Sequence, residues 1–92
     1  MIKKNHYIFC LDGGASKSRS AVFDIKGNIL EKNIGGLCNI ENNFILSIQS
    51  INYHLKKSKI LKNVRKKNII ISLGLAGGRN KSKKLIIRKK FC

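Results

Sequence analysis

"LDGGASKSRSAVFD", residues 11–24, sets an acid, two glycines and three serines between two apolar runs. The acid stands out because twenty Lys and Arg face only Asp12, Asp24, Glu31 and Glu41. Any chemistry that needs a carboxylate must use one of these four or take one from elsewhere. Upstream, "YIFCL" (7–11) is a short unbroken apolar run, which predicts a strand buried on both faces. Downstream, residues 20–25 predict a second strand, "KGN" (26–28) supplies turn chemistry, and residues 29–34 predict a third strand before Gly35 and Gly36. The stretch therefore reads as a three-stranded antiparallel meander with loops at "GGASKS" and "KGN".

The period then changes. Ile40, Phe44, Ile48, Ile51 and Leu55 fall on one helical stripe, predicting a helix over 40–55. Asn39 is the expected N-cap, Glu41 the first-turn charge, and Lys56 and Lys57 suit the C-terminal end of the dipole. A basic connector leads into "NIIISLGLAGG" (68–78), where residues 69–73 predict a strand beside the first. Residues 79–91 predict the opening of a second helix, with Leu85 and Ile86 as its apolar contribution. Meander, helix, parallel strand and second helix make an α/β order, the opening of an RNase H-like domain. Such a domain normally continues, so the sheet is expected to be unfinished at Cys92. Residues 1–92 then form one partial lobe, and the Lys-rich ending 79–92 reads as the end of a truncated or frameshifted frame, or of a fragment.

A chain of 92 residues makes one small domain at most. Its formal charge of +16 invites a nucleic-acid reading, since Lys and Arg release phosphate counterions on binding. The charges spread over Lys3–Lys4, 56–67 and 79–90, with Asn in many gaps, which favours solvated basic faces. Cys10, Cys38 and Cys92 show no CxxC pair, so reduced, buried thiols are expected rather than a disulfide framework or zinc site. The first apolar run is too short for a signal peptide, and no stretch reaches membrane-spanning length. A cytoplasmic protein with no membrane partner is expected.

The loop 12–18 carries the candidate chemistry. Gly13 and Gly14 let backbone N–H groups turn around a phosphate, Ser16 and Ser18 offer hydroxyls, and Lys17 adds charge. Asp12 could orient a hydrated magnesium ion, which keeps most of its waters and takes one or two carboxylates. A plain hairpin turn with solvated polar residues explains the spacing equally well. The loop is not a Walker A motif, and "GLAGG" is not G-x-G-x-x-G. Asp24 and Glu31 read as solvent-facing strand positions. His6 and His54 show no neighbour suggesting a dyad, and nothing near Cys38 marks an activated thiolate.

"LDGGASKSRSAVFDIKGNILEKNIGGLCN" closely resembles the start of the BadF/BadG/BcrA/BcrD-type ATPase family, which includes the N-acetylglucosamine kinases. The D-G-G loop, the second strand ending near an Asp, the "GNIL" turn, "GGLCN", a helix and "LGLAG" follow in the family's order. The resemblance implies the N-terminal lobe of an actin-like ATPase, ATP and Mg²⁺ as cofactors, and transfer of the γ-phosphoryl to an amino sugar such as N-acetylglucosamine. It implies Asp12 beside the Mg–ATP phosphates, Gly13, Gly14 and Ser16 at the phosphates, and Asn39 beside the sugar. Ala15 stands where the family usually has a third Gly, and Ser16 where it has Thr. Gly74 and Gly77 match a loop near the cleft. The general base is expected beyond Cys92, so the chain alone is expected to be inactive; full-length relatives are expected as homodimers. An activase-type ATPase of the same family and a small basic nucleic-acid-binding protein are the alternatives.

If the charge only solvates the surface, binding to DNA or RNA should be weak and indiscriminate, whereas a nucleic-acid footprint should show affinity that falls steeply with salt together with a useful specificity ratio. Titration of random and defined oligonucleotides at two salt concentrations checks this. Sequence-selective binding at physiological salt would restore the nucleic-acid reading.

Overall fold

Along Tyr7–Gly13 burial alternates: Phe9 and Leu11 are buried, Cys10 is half-buried and Asp12 is exposed. This strand, β1, pairs antiparallel with β2 (Lys17–Phe23), which pairs antiparallel with β3 (Ile29–Gly36). Helix α1 (Phe44–Lys57) and two short 3-10 turns, Leu61–Asn63 and Lys66–Asn68, carry the chain back to β4 (Ile69–Leu75), parallel to β1. Helix α2 (Lys81–Phe91) follows. The computed structural model describes residues 6–77 and 79–92; Lys3, Lys4 and Gly78 lie outside the described residues. The result is an α/β fold with a four-stranded mixed sheet, ordered β3-β2-β1-β4.

The register explains why one face carries the core. Phe9 lies opposite Val22 and Ile71, and Leu11 opposite Ser20 and Leu73. Period-two geometry puts all of these on the same side. Ile51 from α1 and Ile87 and Phe91 from α2 join the same cluster, together with Cys38, Ile40 and Leu61. The expected burial of β1 on both faces is therefore corrected: both helices cover one face, and the other carries Cys10, Asp12, Arg19 and Lys32 with partial or full exposure.

Three further expectations change. Helix α1 starts at Phe44 rather than Ile40, and Asn39 is not its N-cap. Asn39 instead forms a parallel bridge with Ala76, while Ile40 N–H donates to the Ala76 carbonyl at 3.0 Å. Strand-like pairing thus wins the segment before the helix can begin, and Ile40 is buried outside it. Glu41 lies in the turn before the helix, not in its first turn. In α2, Asn80 Oδ1 caps the helix by accepting from Lys83 N–H at 3.0 Å. Ile87 and Phe91, four residues apart, face the core, while Leu85 and Ile86 remain 52% and 51% exposed.

The acids also have structural work. Asp24 Oδ1 accepts from the N–H groups of Lys26 and Asn28, both at 2.9 Å, and pins the "KGN" turn. Bonds from the Asn28 side chain and backbone hold the Asp24 carboxyl below the usual carboxylate range. Glu31, expected to face solvent, pairs with Val22 on the core side, and its Oε2 accepts from Lys59 N–H at 2.8 Å. Of the three thiols, all free, only Cys38 is buried; Cys92 is exposed. No helix among the described residues is long and apolar enough to cross a membrane.

Ile87→Ala should cost about 2–5 kcal/mol, whereas Leu85→Ala should stay within about 0.5 kcal/mol. Urea unfolding of the two variants checks the assignment; the reverse ranking would mean that α2 presents its other face.

Candidate phosphate site at the strand ends

Chain segments converge where β1 and β4 end, the end at which open α/β sheets place their ligands. Ala76 N–H donates to the Gly13 carbonyl at 2.9 Å, and Cys38 N–H to the Gly14 carbonyl at 2.8 Å. With the Ile40–Ala76 bond, these join the β1–β2 hairpin, the β3–α1 segment and the end of β4 through backbone groups alone. Gly13 sits directly against Cys38: a Cβ there would lie 2.6 Å from Cys38 Cβ and 2.9 Å from its carbonyl oxygen. The crossing itself requires glycine, whatever the loop binds.

The hairpin tip is Ala15 and Ser16, both exposed. Their N–H groups have no protein partner among the described residues. Gly14 N–H is not available in this way; it donates to the Lys17 carbonyl at 2.8 Å. Ser18, read from the sequence as a possible phosphate hydroxyl, is 1% exposed and bonded inward. Lys17 is exposed beside the tip.

Asp12 lies on the helix-free face, with Arg19 and Gly74 as its strand neighbours. Its carboxylate makes no hydrogen bond or ion pair among the described residues. It borders a shallow concavity of about 760 Å³, shared with Cys10, Arg19, Ala21, Lys32 and Ser72. No group of three or more His, Cys, Asp or Glu is assembled among the described residues. One free carboxylate at an open strand end suits a hydrated ion held mainly by its phosphates, not a protein cage.

Asn39 reaches the same end of the sheet. Its Oδ1 accepts from the N–H groups of Glu41 and Asn42 at 3.1 and 3.3 Å, and its side-chain N–H₂ has no partner among the described residues. Gly77 lies alongside it, and Glu41, Gly77, Arg79 and Asn80 line a small neighbouring hollow. The fold places Asp12, Gly13, Gly14, Ser16, Lys17 and Asn39 at one end of the sheet, with Asp12 on the helix-free face and Asn39 beside Ala76 and Gly77.

One group has no counterpart in the sequence reading. His54, expected to lack a partner, is fully buried between two serines: Nε2 lies 2.8 Å from Ser18 Oγ and Nδ1 2.6 Å from Ser20 Oγ. Burial, and secondarily the charge of Lys57, push its imidazole below the usual range. The signal is present in the spacing. Ser18 and Ser20 share a strand face with Val22, and Ser47, Ile51 and His54 share a helix face. Burial pushes the Cys38 thiol up, consistent with no activated thiolate.

Among solved structures, the fold is similar to that of a Chromobacterium violaceum protein provisionally described as an N-acetylglucosamine kinase. The TM-score is 0.78, with 22% identity over 92% of this chain. The likeness is one of fold. This chain spans 31% of that protein's length. No family model matches the sequence, and no curated protein does.

Gly13→Ala should lower stability by about 1–3 kcal/mol, because neither Cys38 Cβ nor its carbonyl can withdraw without moving backbone. Ser16→Ala, at the exposed tip, should stay within about 0.5 kcal/mol. Thermal unfolding of both variants checks this; a neutral Gly13→Ala would mean that the three segments are not held as described.

Proposed function

We propose that this chain supplies the phosphate-binding side of an ATP-dependent sugar-kinase site of the BadF/BadG/BcrA/BcrD type, within the actin-like superfamily. One observation carries the reading. An acid-Gly-Gly hairpin, whose tip N–H groups have no partner among the described residues, meets Cys38 and the β4 end at the carboxyl ends of two parallel strands, with Asn39 bridged to Ala76 beside it. The similarity of the fold to that of the Chromobacterium violaceum protein supports it, as does the order of motifs along the chain.

In this reading the Ala15 and Ser16 N–H groups and the Ser16 hydroxyl hold phosphate oxygens, and Lys17 adds positive charge. Asp12 orients the water shell of a magnesium ion, whose charge offsets that of the phosphates. The side-chain N–H₂ of Asn39 donates to a sugar hydroxyl, with N-acetylglucosamine the best specific substrate. No general base is assigned within this chain. Phosphoryl transfer rests on positioning and electrostatics, so this side alone should bind weakly and turn over negligibly.

Mg–ATP added to the chain should shift the amide resonances of residues 14–17, and Asp12→Asn should remove the magnesium-dependent part of that shift. In a protein carrying this segment together with the rest of the site, Asp12→Asn should lower sugar phosphorylation about a hundredfold, roughly 3 kcal/mol. Loop amides indifferent to Mg–ATP, or an unaffected Asp12→Asn, would overturn the reading.

A further inference from the structure

We propose that Ser20, His54 and Ser18 form a clasp that positions the phosphate loop and that opens when His54 takes up a second proton. The site's identity rests on the reading above; the clasp rests on its own hydrogen bonds. Ser18 Oγ donates to the Gly36 carbonyl at 2.6 Å, so toward His54 it can only accept. His54 Nε2 must then carry the proton across the 2.8 Å contact, and Nδ1 must accept from the Ser20 hydroxyl at 2.6 Å. Every proton in the chain Ser20–His54–Ser18–Gly36 is assigned, and the imidazole is neutral.

The clasp reaches the loop through contiguous bonds. Gly36 leads to Leu37, whose carbonyl accepts from Ser50 Oγ of α1 at 2.6 Å. Next comes Cys38, whose N–H holds the Gly14 carbonyl and whose thiol lies 3.8 Å from the Ser47 carbonyl. On β3 the helix approaches so closely that a Cβ on Gly35 would fall 2.7 Å from His54 Nε2. His54 therefore acts as a positioning residue for the loop.

A proton from solvent adds to the Nδ1 lone pair. Nδ1–H then meets Ser20 Oγ as a donor, and the Ser20 hydroxyl proton that pointed at it must turn away. The new charge is buried. From α1, Lys57 repels it and the Tyr53 ring lies edge-on at 5.8 Å. From β2, Lys17 and Arg19 are positive and project to the other face. From β3, Glu31 faces the core side with Oε2 accepting from Lys59 N–H and its buried Oε1 without a partner among the described residues, while Lys32 is positive and faces the other side. Because His54 titrates below the unfolded value of about 6.5, the unfolded chain binds the proton first. The clasp's stabilisation is complete above about pH 6.5 and is lost as pH falls through the folded value.

Imidazole nitrogen shifts of the 92-residue chain should report the Nε2–H form at pH 8. On acidification the amides of residues 14–17 should titrate with the midpoint of His54, and the Mg–ATP dissociation constant should rise several-fold. Ser20→Ala removes the donor to Nδ1, so the His54 midpoint should move up and the loop midpoint should move with it. His54→Gln, which cannot titrate, should flatten the loop response. Loop amides that keep the same midpoint in either variant, or that stay still while His54 titrates, would overturn the clasp. Absence of Mg–ATP binding at every pH would instead sink the phosphate-site reading, with the loop amides still deciding the clasp.

Discussion

Gly13 runs so close beneath Cys38 that no side chain fits between them, and the arrangement of the strand ends depends on that contact. With the β1 end pressed against the segment leaving β3, Cys38 N–H reaches the Gly14 carbonyl and Ala76 N–H reaches the Gly13 carbonyl. Backbone bonds of this kind are indifferent to most side chains. They leave the hairpin tip exposed, its own N–H groups without a partner among the described residues, with the Gly13 and Gly14 carbonyls and the Gly14 N–H behind it already occupied. The candidate site is thus a by-product of how three chain segments cross.

The core that supports this crossing is one-sided. Phe9, Leu11 and Val22 form its sheet half, and Ile51, Ile87 and Phe91 its helical half. A domain of this size buries a modest fraction of its surface, and here part of the interface is polar. Ser47, Ser50 and His54 put hydrogen bonds where a simpler helix would put methyl groups. Such groups add little while fully paired and cost much when one partner is lost. The exchange gives α1 a directional grip on β2 through His54 and on Leu37 through Ser50 that apolar packing alone would not provide.

Much of the fold is legible in the order of residues. The alternation and glycine punctuation of residues 7–36 mark a meander, and the "III" run marks the parallel strand. These depend on local period and turn chemistry, which survive folding. Asn39 departs from its cap-like spacing because pairing to Ala76 competes with it, 37 residues away in sequence and invisible to any local rule. Leu85 and Ile86 stay outside the core because two apolar neighbours do not say which side of a short helix meets it. Glu31 turns inward because its facing follows from the β2–β3 register, which shifts between Val22 and Phe23.

The sequence by itself determined the order of elements and the hairpin with its acid and glycines. It also determined the excess of positive charge, since each is a property of neighbours along the chain. Only the tertiary structure decided that both helices cover one face and leave Asp12 on the other. It alone turned Ser18 from a candidate ligand into a buried partner of His54. The reason is physical: Ser18 and His54 stand 36 residues apart, and a hydrogen bond between them exists only once β2, β3 and α1 have packed.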